Sequence, residues 1–276
     1  MPIAQITLTV EESKKLIAMA VSIHPKVKKV LEKGSILFKG GSTVSQVSKT
    51  ITGNYLRLCG MITKRGCVVN VGDEESLPHI ALYKNGEFIN IDETFLQDVL
   101  KLTENDLIIC GANAIDPYGN AAMMTGSLGG GDTPFAFGTW YGEGVPVIIP
   151  VGLEKLIPNN INEIIKLTGR RKKKYSTGMS VGLMPVIGEI ITEVNAIKLL
   201  TGLEAIPIAA GGIGNGKGSV TLDVIGEEKE LKKLMDLILD IKDQVLYEEE
   251  NYLECKPVCL HCKEHLGCIY KSMLRG

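Results

Sequence analysis

The stretch "VPVIIPVG", residues 145–152, constrains the fold more than any other part of the chain. Apolar residues follow one another with no polar alternation, so neither face of the strand expects water. Strands of this kind belong in parallel sheets covered by helices on both sides. The preceding chain agrees. Strands are readable at "SILF" (35–38), "CVVNV" (67–71), "NDLIICGAN" (105–113) and "HIALYKNGEFINI" (79–91), the last a hairpin turning at Asn85-Gly86. Helical patterns alternate with them. In "TVEESKKLIAMAVSI" (9–23), Thr9 and Glu12 have capping-box spacing, and Leu16, Ile17, Ala20 and Val21 share one face. His24-Pro25 breaks that helix, a second ends at Gly34, a glycine turn feeds a third from Ser42, and a fourth spans Glu93–Leu102.

Residues 1–157 therefore read as a main α/β ligand-binding domain with an open, mostly parallel sheet and helices on both faces. Residues 158–180 read as a connection in which Asn160 and Glu163 open a helix and Arg170–Lys174 form a basic run. From 181 to 250 the pattern changes to a smaller α+β unit. It has a helix over "GEIITEVNAIKLL" (188–200), strands "AIPIAA" and "SVTLDVIG" around the loop "GGIGNGKG", and a helix from Glu227 to about Asp243. Leu231, Leu234, Met235, Ile238 and Ile241 stripe that last helix. Residues 251–276 are a cysteine-rich metal-binding tail.

A net charge of −2 and 45% hydrophobic residues argue against a disordered polyelectrolyte and a broadly basic nucleic-acid binder. No apolar run approaches the ~20 residues needed to cross a bilayer. The first residues lack the basic-then-apolar pattern of a secretory leader. The expectation is a cytoplasmic protein, with no nucleic-acid or membrane partner, whose ligand is a small anion and which is compatible with a homo-oligomer. The basic run lacks interleaved aromatics, so a solvated linker is favoured over a ligand clamp.

In the tail, "ECKPVCLHCKEHLGC" places Cys255, Cys259, Cys262 and Cys268 at C-x3-C-x2-C-x5-C spacing. Close-set thiolates suit zinc or an iron–sulfur cluster. All-cysteine zinc sites usually pair two C-x2-C knuckles, and only Cys259 and Cys262 form such a pair. A cubane 4Fe-4S cluster is therefore favoured over zinc. His261 and His265 are further donors.

Two glycine loops carry the ligand reading. "KGGSTVSQ" (39–46) follows a strand and opens a helix, where backbone N–H groups and the helix dipole favour an anion. Gly40 and Gly41 permit close approach; Ser42 and Thr43 add hydroxyls. No G-K-[ST] follows, so this is not a Walker A loop. "GANAIDPYGNAAMMTGSLGGGD" (111–132) adds Asn113, Asp116, Asn120, Gly129, Gly130, Gly131 and Asp132.

Together the loops resemble the superfamily of ribose phosphate isomerases, glucosamine phosphate deaminases and coenzyme A transferases, over residues 30–155. Gly41, Ser42 and Thr43 match the isomerase phosphate loop, with Lys39 at a position usually glycine. Gly111, Ala112 and Asp116 match the second motif, and Gly129–Gly131 match the glycine run. Asn113 and Ala114 replace two acids of that motif, Thr125 stands where the catalytic lysine would be, and the later glutamate is missing. Plain ribose phosphate isomerisation is therefore not expected, because its proton shuttle needs that carboxylate. Asp116 and Asp132 are the nearest catalytic substitutes; a turn-forming role before Pro117 is an equal reading of Asp116. The loop at 212–216 lies between strands, which fits a hairpin or lid rather than a dinucleotide fingerprint. His79 is expected to be structural, and Cys59, Cys67 and Cys110 to be small buried apolar groups.

Two functions stay open. One is an enzyme acting on a phosphorylated or carboxylated metabolite or an acyl-CoA, on an isomerase- or transferase-like scaffold with a metal centre. The other is a metabolite-sensing or regulatory binding protein whose metal site is redox-active or structural.

Overall fold

The computed structural model describes residues 1–70 and 77–244. Strand β1 (Ile3–Leu8) runs into helix α1 (Val10–Ile23) through Thr9. The Thr9 hydroxyl accepts from the Glu12 amide at 3.3 Å, and the Glu12 carboxylate accepts from the Thr9 amide at 2.8 Å. Two of the helix's orphan donors are thereby satisfied. His24 ends α1 and starts α2 (Pro25–Lys33), its Nδ1 accepting from the Lys26 amide at 3.2 Å. Then follow β2 (Ser35–Lys39), α3 (Ser42–Thr52), and the hairpin β3 (Gly60–Thr63) and β4 (Gly66–Val69). A second hairpin, β5 (Ile80–Lys84) and β6 (Glu87–Asn90), turns where both central residues have positive φ: Asn85 at 51° and Gly86 at 83°.

Helix α4 (Phe95–Val99) leads to β7 (Leu107–Cys110), the short pair β8 (Ala114–Ile115) and β9 (Ala121–Thr125), helix α5 (Thr133–Gly142) and β10 (Val147–Pro150). Helix α6 (Ile161–Leu167) is capped by Asn160, whose side chain accepts from Asn162 and Glu163 amides. The chain closes with β11 (Gly182–Val186), β12 (Glu189–Ile191), α7 (Glu193–Thr201), β13 (Glu204–Gly211), β14 (Ser219–Ile225) and α8 (Glu228–Asp243).

The main sheet has six strands in the order β12-β10-β7-β2-β5-β6. The first four are mutually parallel, and β5 and β6 run antiparallel at one side. The protein is thus a mixed α/β fold around a mixed sheet. All four β10 residues are buried, as "VPVIIPVG" requires. Alternation along the strands splits the core in two. Ile36, Phe38, Leu107, Ile109 and Ile148 face α1, α3 and α7, while Leu37, Ile108, Cys110 and Ile149 face α4 and α5, including Phe95 and Trp140.

Three expectations change in detail. The helix anticipated from 188 begins instead at Glu193, and Glu189–Ile191 extends the main sheet beside β10. Gly188 allows this, since a Cβ there would lie 2.8 Å from the Val147 carbonyl oxygen. Asn195 marks the true helix start, accepting from the Thr192 amide at 3.0 Å. The fourth helix is confined to Phe95–Val99. The 111–125 stretch is not all loop: β8 and β9 join β11 in an antiparallel sheet. Apart from the main sheet, β1 pairs with β14 in the sheet β1-β14-β13, and Ile6 and Leu8 share one core with Leu222, Val224, Leu234 and Ile238.

The tail ligands Cys255, Cys259, Cys262 and Cys268, with His261 and His265, lie outside the described residues. Among the described residues, no helix is long and apolar enough to cross a membrane.

Candidate functional site

The carboxyl ends of β2 and β7 bring Lys39 and Cys110 together, with His79 beside them. Lys39, the last residue of β2, sits in register between Cys110 of β7 and Ile80 of β5. Gly40 follows, and its amide donates to the His79 carbonyl at 2.8 Å. A Cβ on Gly40 would lie 2.5 Å from His79 Nδ1, 2.6 Å from the His79 carbonyl oxygen and 2.8 Å from that of Arg57. Only glycine permits so close an approach at this turn.

Gly41 then caps α3 with no side chain of its own, and among the described residues no side-chain cap bond reaches the helix start. Thr43, in the first turn, is 2% exposed, and its hydroxyl has no hydrogen-bond partner among the described residues. Buried hydroxyls are seldom left so. Further along α3, the Ser45 hydroxyl accepts from the Leu56 amide at 2.9 Å, tying the following loop to the helix.

Electrostatics set this corner apart. Burial pulls the Lys39 amine below its usual range, partly offset by the Cys110 and Cys59 thiols. Among the described residues no carboxylate neutralises it. Burial pushes the Cys110 thiol up to about 12 against the pull of Lys39, so it keeps its proton. Burial, and then the Lys39 charge, lowers His79 to about 4, so its ring is neutral near pH 7. His79 Nδ1 lies 3.2 Å from the Arg57 carbonyl oxygen. A carbonyl only accepts, so Nδ1 carries the hydrogen and Nε2 presents a lone pair. Asp92 fixes the segment by accepting from the His79 amide at 3.0 Å and the Ile80 amide at 2.6 Å.

A buried acid stands further along the same edge. Glu193, after β12, is 0% exposed and accepts from the Leu153 amide at 2.9 Å. Its Oε1 has no partner among the described residues. Burial raises its pKa, and the neighbouring Glu154 adds to the rise.

The other anticipated residues lie beyond β7, around the β8–β9 pair and the glycine loop before α5. Asn113 closes the β8–β9 pair, its Oδ1 accepting from the Met124 amide at 2.9 Å. Asp116 Oδ1 accepts from the Tyr118 and Asn120 amides at 2.9 Å each. Its Oδ2 accepts from Asn120 Nδ2 and the Ile161 amide at 2.8 Å each. Burial opposes ionisation, but these four donors outweigh it and hold the carboxyl below its usual range. Such a carboxylate clamps the hairpin to the start of α6. Asn120 extends the clamp by accepting from Asn162 Nδ2 at 3.1 Å. Asp132 is exposed at the start of α5 with no capping bond. Gly129, Gly130 and Gly131 all have positive φ, at 64°, 86° and 71°, and form a tight loop against Ser127 and Pro134. Gly40, Gly41, Ser42 and Thr43 thus gather with Lys39, Cys110 and His79, whereas Asp116, Asn113 and Asn120 gather at the neighbouring hairpin.

Sequence reasoning passed over Lys39, seen only as a departure from glycine. The available signal was a lysine placed directly between the buried strand "SILF" and a Gly-Gly turn. Cys110 is buried as expected, but Cys59 is exposed. Compared with known proteins, the chain matches no family model, no curated protein and no solved structure.

Proposed function

We propose that this protein is an enzyme acting on a small anionic metabolite, phosphorylated or carboxylated, bound at the carboxyl ends of β2 and β7. The observation that carries this is the start of α3: among the described residues its amides have no side-chain cap and the neighbouring buried Thr43 hydroxyl has no partner. Helix N-termini attract anions, and open α/β sheets bind ligands at this edge. The resemblance to sugar-phosphate isomerases and coenzyme A transferases points the same way, and an acyl-CoA would offer the same phosphate chemistry. Lys39 and neutral His79 favour catalysis over sensing, because both can exchange protons or attack a substrate.

Titration with inorganic phosphate should shift the backbone amide resonances of Gly41–Val44 before others. Thr43→Val keeps the side-chain shape and removes the hydroxyl, and should weaken phosphate about 5- to 10-fold, the worth of one hydrogen bond of about 1 kcal/mol. Shifts scattered over the surface, with Thr43→Val unchanged, would remove the anion site. Saturable metabolite binding without turnover would favour the sensor.

The tail extends the proposal: Cys255, Cys259, Cys262 and Cys268 hold a 4Fe-4S cluster, with zinc the alternative. Anaerobically purified protein should contain iron and acid-labile sulfide in equal amounts. Zinc without sulfide would make the tail a structural clasp.

A further inference from the structure

We infer that Lys39 is a nucleophilic amine that forms an imine with a small anionic aldehyde or ketone held at the start of α3. The inference rests on the anion site proposed above and names the substrate class for it. Alternation places Lys39 on the sheet face of Leu37 and Cys110, whereas α3 packs through Val44 and Val47 with Phe38 on the other face. The amine and the α3 amides therefore approach the strand edge from opposite faces. Lys39 and Ser42 are three residues apart, at most about 11 Å along the chain, and a lysine side chain covers much of that. An anion on the amides would leave a carbonyl carbon, a few bonds away, for the amine.

The surroundings suit the chemistry. No acid among the described residues holds Lys39 as an ammonium, and burial favours the free base that attack requires. The nitrogen lone pair adds to the carbonyl carbon, giving a carbinolamine. Its hydroxyl then leaves as water, carrying the former carbonyl oxygen, as the C=N bond forms. One proton moves from nitrogen to oxygen at addition, and a second protonates the departing hydroxyl. The His79 Nε2 lone pair is the neighbouring group able to relay them. No oxidant or reductant enters.

Cyanoborohydride reduction tests this in the full-length protein, with pyruvate and dihydroxyacetone phosphate as separate probes. The reductant converts an imine to a stable secondary amine that peptide mass mapping can locate. With at least one probe, modification should concentrate on Lys39, at least about tenfold faster than on exposed lysines, because the carbonyl is held beside an amine whose burial favours the free base. Inorganic phosphate should slow it, and Lys39→Arg should abolish it while leaving the phosphate shifts at Gly41–Val44. Modification spread over surface lysines, or absent at Lys39 while those shifts persist, overturns the imine and spares the anion site. A Lys39 adduct that phosphate neither slows nor accompanies with amide shifts overturns the anion site instead.

Discussion

Gly178→Ala is expected to destabilise the protein by about 2–5 kcal/mol. Two costs combine. Gly178 has φ +73°, a left-handed conformation that costs an L residue roughly 1–2 kcal/mol. Its Cβ would also collide with the Cys67 backbone, meeting the carbonyl oxygen and lying 2.9 Å from the Cys67 nitrogen. Overpacking against atoms that cannot rotate away adds roughly 1–3 kcal/mol. The contact is reciprocal: Gly66, at φ +104°, would drive a Cβ into the Thr177 carbonyl. Two glycines thus let two chain segments cross at van der Waals distance, sealed by the Met179 amide donating to the Cys67 carbonyl at 2.7 Å. Gly53→Ala separates the two costs, because Gly53 has φ +81° with nothing within 4 Å. Denaturant melts should show a loss of about 1 kcal/mol there and several times that at Gly178. Equal losses would mean that the crossing relaxes freely.

Acid should weaken the fold through His79. Its native pKa is about 4 against 6.5 for an ordinary histidine, owing first to burial and then to Lys39. Below pH 6.5 the unfolded chain takes a proton that the native chain refuses. Stability contributed by neutral His79 is complete above pH 6.5, falls as pH drops, and levels off below about 4. At 1.36 kcal/mol per pH unit the full interval is worth about 3 kcal/mol. His79→Gln cannot take up that proton, so the variant should lack this slope and the wild-type-minus-variant difference should fall between pH 6.5 and 4. Parallel profiles would show that His79 titrates normally in the native protein.

Local signals carried much of this fold. Thr9 with Glu12, His24-Pro25, Asn85-Gly86 and Asn160 each fix backbone geometry within a few residues, and each acts as its side-chain chemistry requires. What escaped depends on distant partners. "EII" at 189–191 is apolar and runs straight into a helix; only Val147 packed behind Gly188 and pairing with β10 make it a strand. "AIDPYGNAAMM" is small and turn-rich, and its strands form because β11 lies beside β9. At the site, the phosphate-loop pattern of Gly40–Thr43 was legible, while Lys39 and His79 were not. Their lowered pKa values come from burial, and for His79 from the Lys39 charge as well, and no linear spacing records that.

The pairing of Ile6 with Leu222 has a consequence for how the chain is made. Strand β1 leaves the ribosome ahead of every other described element, yet its partner follows 216 residues later, from position 6 to position 222. At roughly 5–20 residues per second, β1 waits about 10–40 s for the hydrogen bonds that define it. During that wait Ile6 and Leu8 must be shielded by α1, by a chaperone, or by nothing at all. The main parallel sheet, complete once β12 has emerged, can assemble while the outer sheet still lacks β14.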